Sequence, residues 1–295
     1  MKKVLAGILL LFLMGCIFWQ PEESEKVRKE NGKVKVVVTL LPQAEFAERI
    51  GGDRVQVTVM VPPGASPHTY EPTPGQLAEV SSAHIYAKVG SGVEFELTWM
   101  DKIVDANKDM LIIDCSQGVE LMYVGNEEER ENKDKGYDPH IWLSPKNAVK
   151  MVENIYEGLI QIAPSNKEYY ERNKNTYIQE LENLDEAIAQ ALSGKENRKI
   201  MVYHPSWTYF CRDYGLEQIP IEKEGKEPTP QGLAHLIDQA KTYEITVIFA
   251  SPQFNAESAE VIAREINGKV VLIDPLAKNY IENMKKIAEA FAEVE

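Results

Sequence analysis

The feature that most constrains this chain is an amphipathic run across residues 166–192. Tyr170, Tyr177, Leu181, Leu184, Ile188 and Leu192 recur there at spacings of three, four and seven, so they share one helical face. At about 1.5 Å per residue such a helix is roughly 40 Å long. That is unusual inside one α/β domain and long enough to reach from one lobe to another. Ser193 and Gly194 supply its stop signal. A chain of 295 residues has room for two lobes, because domains run about 100–200 residues.

On both sides of this run, short β-branched stretches alternate with helical patterns. Strands are expected at 34–41, 55–61, 85–89 and 110–114, and helices at 44–50, 76–82, 93–106 and 145–162. Ser144 reads as the N-cap of the last of these, with Pro145 in its first turn. After the long helix, strands are expected at 199–203, 215–221, 245–250 and 269–273, and helices at 207–214, 230–243, 255–266 and 279–292. The fold class is therefore α/β: two α/β lobes with largely parallel sheets, joined by one long rigid helix. Ligands of open α/β sheets bind at the carboxyl ends of strands, so a cleft between the lobes is the expected site. The organisation is residues 1–33 as a targeting segment with a polar tether, 34–165 as the first lobe, 166–194 as the linking helix and 195–295 as the second lobe.

The amino terminus has secretory architecture: Lys2 and Lys3, then an apolar stretch, then Cys16. Leu13-Met14-Gly15-Cys16 resembles a lipobox, in which the cysteine is acylated and becomes the mature terminus. Met14 departs from the usual small residue, and Ile17-Phe18-Trp19 prolong the apolar stretch. An uncleaved signal anchor is the alternative, but the stretch is shorter than the roughly 18 residues of a spanning helix, which favours the lipid anchor. Either way the remainder lies outside the cytoplasm. With 46 acidic against 32 basic residues and a net charge of −14, binding to nucleic acid or to anionic lipid through a basic surface is not expected. Cys115 and Cys211 read as two buried free thiols.

Five histidines are present, and three stand at strand ends or in loops: His68, His140 and His204. Asp274 follows directly on the strand at 269–273. Proline flanks all four, as Pro67, Pro139, Pro205 and Pro275, and stiffens their backbone. Three imidazoles and a carboxylate suit a divalent transition ion such as Zn²⁺. Spacing alone favours ordinary structural histidines over a metal site, since there is no H-E-x-x-H and no C-x-x-C. His84, at a strand start, and His235, in a helix, read as structural. There is no glycine-rich phosphate loop and no G-x-S-x-G elbow. Glu71 and Asp138 are the carboxylates that could act as a base in a zinc hydrolase. The preferred reading makes Glu71 a loop carboxylate and Asp138 an orienting partner of a ligand imidazole.

Pro67-His68-Thr69-Tyr70-Glu71-Pro72-Thr73-Pro74, Asp138-Pro139-His140-Ile141-Trp142-Leu143-Ser144-Pro145, Tyr203-His204 with Tyr209-Phe210, Glu227-Pro228-Thr229-Pro230 and Asp274-Pro275-Leu276 occur in that order. In combination they resemble the zinc- and manganese-specific substrate-binding proteins of ABC transporters, over about residue 34 to the end. The resemblance implies two α/β lobes joined by a long, rigid helix, with metal in the cleft and His68, His140, His204 and Asp274 as ligands. It implies Zn²⁺ as cargo, because the third ligand is His204 where manganese members tend to have Glu; Mn²⁺ or iron is the alternative. It further implies a carrier rather than an enzyme, partnered by a permease and its ATPase, and a monomer held at the outer face of the membrane. An adhesin with structural metal is a further alternative. The sequence departs from the family in residues 127–135, where many zinc members carry a His-rich loop; no His occurs here, and the stretch reads as a solvated loop. Ser144 stands where the family usually has Asp.

Overall fold

The computed structural model describes residues 32–125, 136–223, 225–255 and 257–293. The targeting segment with Cys16 and the charged stretch 127–135 lie outside the described residues. No helix among the described residues is long and apolar enough to cross a membrane.

The first lobe runs β1 (Val34–Val38), α1 (Leu41–Gly51), β2 (Val55–Val59), α2 (Pro74–Ser81), β3 (Ile85–Lys88), α3 (Glu94–Ala106) and β4 (Leu111–Asp114). Its four strands are all parallel, in the order β2-β1-β3-β4, with Val36 opposite Val57 on one side and Ile85 on the other. Helices α4 (Pro145–Ile162) and α5 (Lys167–Leu192) follow. The second lobe repeats the plan with β5 (Lys199–Val202), α6 (Thr208–Tyr214), β6 (Glu217–Pro220), α7 (Pro230–Thr242), β7 (Val247–Ala250), α8 (Glu257–Glu265), β8 (Lys269–Leu272) and α9 (Tyr280–Ala292). Its parallel order is β6-β5-β7-β8. In each sheet the chain moves outward from its first strand on one side and then crosses to the other. This creates a switch point where loops diverge and a crevice opens.

Local chemistry explains the ends of elements. Expectation carried the first strand to residue 41, but β1 stops at Val38, because Pro42 sits in the first turn of α1 and a helix accepts it there. Gly52, at φ 55°, caps that helix. Thr73, Ser144 and Thr229 cap α2, α4 and α7 by accepting the backbone N–H of Gln76, Asn147 and Gly232. Gly158 interrupts α4 for a packing reason: a Cβ there would lie 2.6 Å from Ile113 Cγ1 of β4.

The six apolar residues expected on one face of α5 are all buried. The helix packs against α4 and α1 of the first lobe and against α9. One apolar cluster runs from the first sheet through α5 to Trp207, Phe210, Phe249 and Phe291 under the second sheet. A smaller cluster, including Met201, Ile219, Ile248 and Ile262, fills the opposite face of that second sheet. Buried hydrogen bonds reinforce the join: Trp142 Nε1 donates to Pro275 O at 2.8 Å, Tyr280 Oη to Trp142 O at 2.7 Å and Tyr209 Oη to Asp138 O at 2.8 Å. Cys115 and Cys211 are both buried and free, and burial pushes their thiols upward, Cys211 to about 12. Neither is poised to react at neutral pH.

Candidate metal centre

His68 lies in the loop after β2, His140 in the loop preceding α4 and His204 two residues beyond β5. The first two belong to the first lobe and the third to the second, and all three converge. His204 Nε2 lies 3.3 Å from His68 Nε2 and 3.2 Å from His140 Nε2. They form the one group of three or more potential ligand residues whose ligand atoms all lie within 4.8 Å, among the described residues.

Each imidazole is oriented by a carboxylate at its other nitrogen. Nδ1 of His68 lies 2.9 Å from Glu94 Oε2, Nδ1 of His140 lies 2.9 Å from Asp138 Oδ1, and Nδ1 of His204 lies 2.6 Å from Glu222 Oε1. A carboxylate at Nδ1 assigns the proton there and leaves the Nε2 lone pair free. Three such lone pairs aimed at one small volume repel one another unless a cation lies between them. Asp138 is doubly engaged, since Oδ1 also accepts the backbone N–H of His140 at 2.8 Å. Phe254 stacks on His204, with ring centroids 4.6 Å apart and planes at 25°. Burial lowers the His204 pKa, as do the neighbouring histidines, against the opposing pull of Glu222. The ring is thus held neutral, as ligation requires. Burial works to raise the Glu94 carboxyl, but its hydrogen bond with His68 opposes this and the net shift is downward.

Asp274 is placed differently from the three histidines. It follows β8, and its Oδ1 accepts from Gln253 Nε2 at 2.7 Å and from the Leu276 backbone N–H at 2.9 Å. It stands outside the trio that meets within 4.8 Å. Glu71 is exposed. Asp138 makes the contacts that an orienting partner of His140 would make. His84 and His235 lie outside the trio: His84 Nδ1 accepts the backbone N–H of Lys35 at 2.9 Å, and His235 is exposed on α7. No motif in the sequence points to Glu94, Glu222, Gln253 or Phe254 as part of the site. One signal existed for Glu222, which sits just beyond the carboxyl end of β6, where the other site residues of this fold also gather.

Two parallel-sheet lobes with imidazoles from both meeting at a cleft define a metal-binding member of the two-lobed solute-binding class. The family described as zinc-uptake complex component A, periplasmic (ZnuA), matches residues 36–294, and the chain belongs to it. The high-affinity zinc uptake system protein ZnuA of Bacillus subtilis strain 168 is 32% identical over 84% of this chain and 80% of its own. The zinc-binding lipoprotein AdcA of Streptococcus pneumoniae strain R6 is 30% identical over 98% of this chain. The chain spans only 60% of that AdcA's length. A crystal structure of ZnuA superposes with a TM-score of 0.83 at 42% identity, over 89% of this chain and 99% of that one. A zinc-bound ZnuA deletion mutant gives 0.82 at the same identity, over 88% and 97%.

Proposed function

We propose that this protein captures Zn²⁺ outside the cytoplasmic membrane and delivers it to an ABC permease driven by its ATPase. The observation that carries this reading is the convergence of three Nε2 atoms, each with a carboxylate at the opposite nitrogen of its ring. Imidazole donors favour zinc over the harder manganese. The zinc-uptake names of the relatives support the same cargo. Asp274 is the proposed fourth ligand. One of its oxygens is already fixed by Gln253 and Leu276, which leaves the other to turn toward the ion. A shell closed by four protein ligands holds no activated water, so the protein acts as a carrier and not as an enzyme. The hydrolase alternative is weakened further because Asp138 is committed to His140. Cys16 is the proposed acylation site, holding a monomer at the outer face of the membrane. The lipoprotein name of AdcA supports that anchor.

The test is a titration of the purified chain, stripped of metal, with Zn²⁺ against excess Mn²⁺. One tightly held zinc per chain is expected, with His204→Ala weakening it by more than the 10–100-fold that loss of an orienting partner costs. Equal or better retention of manganese would overturn the zinc assignment. Absence of stoichiometric metal would overturn the carrier reading itself.

A further inference from the structure

The backbone around Asp274 is held from both sides. Before it, the Ile273 N–H donates to Ala250 O at 2.8 Å. Its own carbonyl accepts from Asn283 Nδ2 of α9 at 2.7 Å, and the next carbonyl, of Pro275, accepts from Trp142 Nε1 at 2.8 Å. Rotation of the carboxyl group is the freedom that remains, and two donors restrict it. The Leu276 N–H is local, two residues along the same turn, and is available to any Asp at this position. The Gln253 amide is the long-range donor, reaching Oδ1 at 2.7 Å from the loop after β7.

Gln253 makes this contact at a cost. An ionised carboxylate only accepts, so the amide must turn its NH₂ toward Asp274 and its oxygen away. Oε1 is buried there with no hydrogen-bond partner among the described residues. A buried carbonyl left unpaired is unfavourable, so the donor side of the amide must supply the compensating gain. The loop itself is anchored. The Phe254 N–H closes a turn onto Ser251 O at 3.2 Å, and the Phe254 ring stacks on His204 and lies 5.9 Å from the ring of Tyr203. One short loop therefore serves both site residues of the second lobe: Gln253 sets Asp274 and Phe254 covers His204.

We infer that Gln253 is a positioning residue that sets metal specificity: together with the Leu276 N–H it fills Oδ1, makes Asp274 a one-oxygen ligand and so holds the centre at four donors, which suits Zn²⁺ over Mn²⁺. The inference deepens the zinc-carrier reading and rests on it, with Asp274 as the fourth ligand. The reason is a count of lone pairs. A carboxylate oxygen has about two acceptor sites, and Oδ1 already accepts from two donors. Oδ2 is left for a cation. Three imidazole nitrogens and one oxygen make the tetrahedral set of zinc. A carboxylate binding through both oxygens would make five donors, nearer the six-coordinate, oxygen-rich shell that suits manganese. The amide thus acts on selectivity without touching the ion.

The experiment titrates the full chain, purified in detergent and stripped of metal, with Zn²⁺ and separately with Mn²⁺ against a chromophoric chelator. Visible absorption of the Co²⁺-loaded chain reports coordination number, because four-coordinate Co²⁺ absorbs far more strongly than five- or six-coordinate Co²⁺. Wild type is compared with Gln253→Leu and Gln253→Met, which both remove the donor at similar size, and with Pro252→Ala and Asp274→Ala. Pro252 is exposed beside Gln253, so its variant loosens the same loop and leaves the amide in place. The two Gln253 variants are expected to weaken zinc about 10- to 100-fold, the cost of losing a partner that orients a metal ligand. Their manganese affinity is expected to hold or rise, so the zinc-to-manganese ratio falls, and their Co²⁺ absorption is expected to drop. Pro252→Ala is expected to keep the wild-type ratio and spectrum. A fall in the ratio of less than about 10-fold, or an unchanged Co²⁺ spectrum, would overturn the inference and leave the carrier reading intact. An equal fall in Pro252→Ala would also overturn it, because the cause would then be loosening of the loop. Wild-type zinc binding by Asp274→Ala would remove its premise and still spare the carrier. Failure of the wild-type chain to take up zinc would overturn the carrier reading and the inference together.

Discussion

At the residue scale, legibility depended on distance along the chain. Asp138 lies two residues from His140, and its orienting role could be read directly. Glu94 lies in another element from His68, and Glu222 in another loop from His204, so no local pattern links either pair. Asp274 follows its strand at the carboxyl end, as its place in the sequence implies, but sequence does not say which way a carboxylate turns, and here Gln253 and the Leu276 N–H hold one oxygen. A second buried acid gives a pH test away from the metal. Glu96 accepts from Thr39 Oγ1 and from the backbone N–H groups of Val89 and Gly90. Burial raises its pKa above 4.5 despite those three donors. Between 4.5 and its raised value, the native state keeps a proton that the unfolded chain has released, so this group's contribution to stability falls as pH rises through that window. Denaturant midpoints of wild type and Glu96→Gln should show it: wild type loses ground to the variant as pH climbs, and a pH-independent difference would contradict it.

At the element scale, periodicity was the most reliable guide. The face of α5 was legible because six apolar residues repeat over many turns, and every one of them is buried. Boundaries were less so, because proline is compatible with a helical first turn, and α1 therefore begins earlier than its apolar residues suggest. Leu184 is fully buried in that α5 face. Leu184→Ala should cost about 2–5 kcal/mol, read as a lower urea midpoint with unchanged slope. Ser144 both caps α4 and donates to Asp213 of α6. Ser144→Ala should cost about 1 kcal/mol for the cap alone. A larger loss would measure what the link to Asp213 adds. Replacing Ser144 by Asp, the residue usual in the family, keeps an N-cap but sets a second carboxylate against Asp213, so Ser144→Asp should be less stable than wild type in the same urea assay.

At the scale of the whole molecule, the two sheets share one apolar cluster and several buried hydrogen bonds across the join. Unfolding should therefore follow a single transition by calorimetry and by circular dichroism. Two separated transitions would show that the lobes fold independently. Sequence made the two lobes and the helix legible, because each is written in local pattern. It could not show that the core is continuous between them, which depends on Trp207 and Phe210 packing on each other and on Phe291, distant in sequence, within the shared apolar cluster. The provenance of the histidines has a consequence of its own. Two come from one lobe and one from the other, so a cation bound by all three is a rivet through the cleft. Riveting fixes the spacing of the outer faces, and a docking protein could gauge that spacing like a key testing a lock. Under the carrier function proposed above, that spacing is what a permease would read, without ever touching the ion.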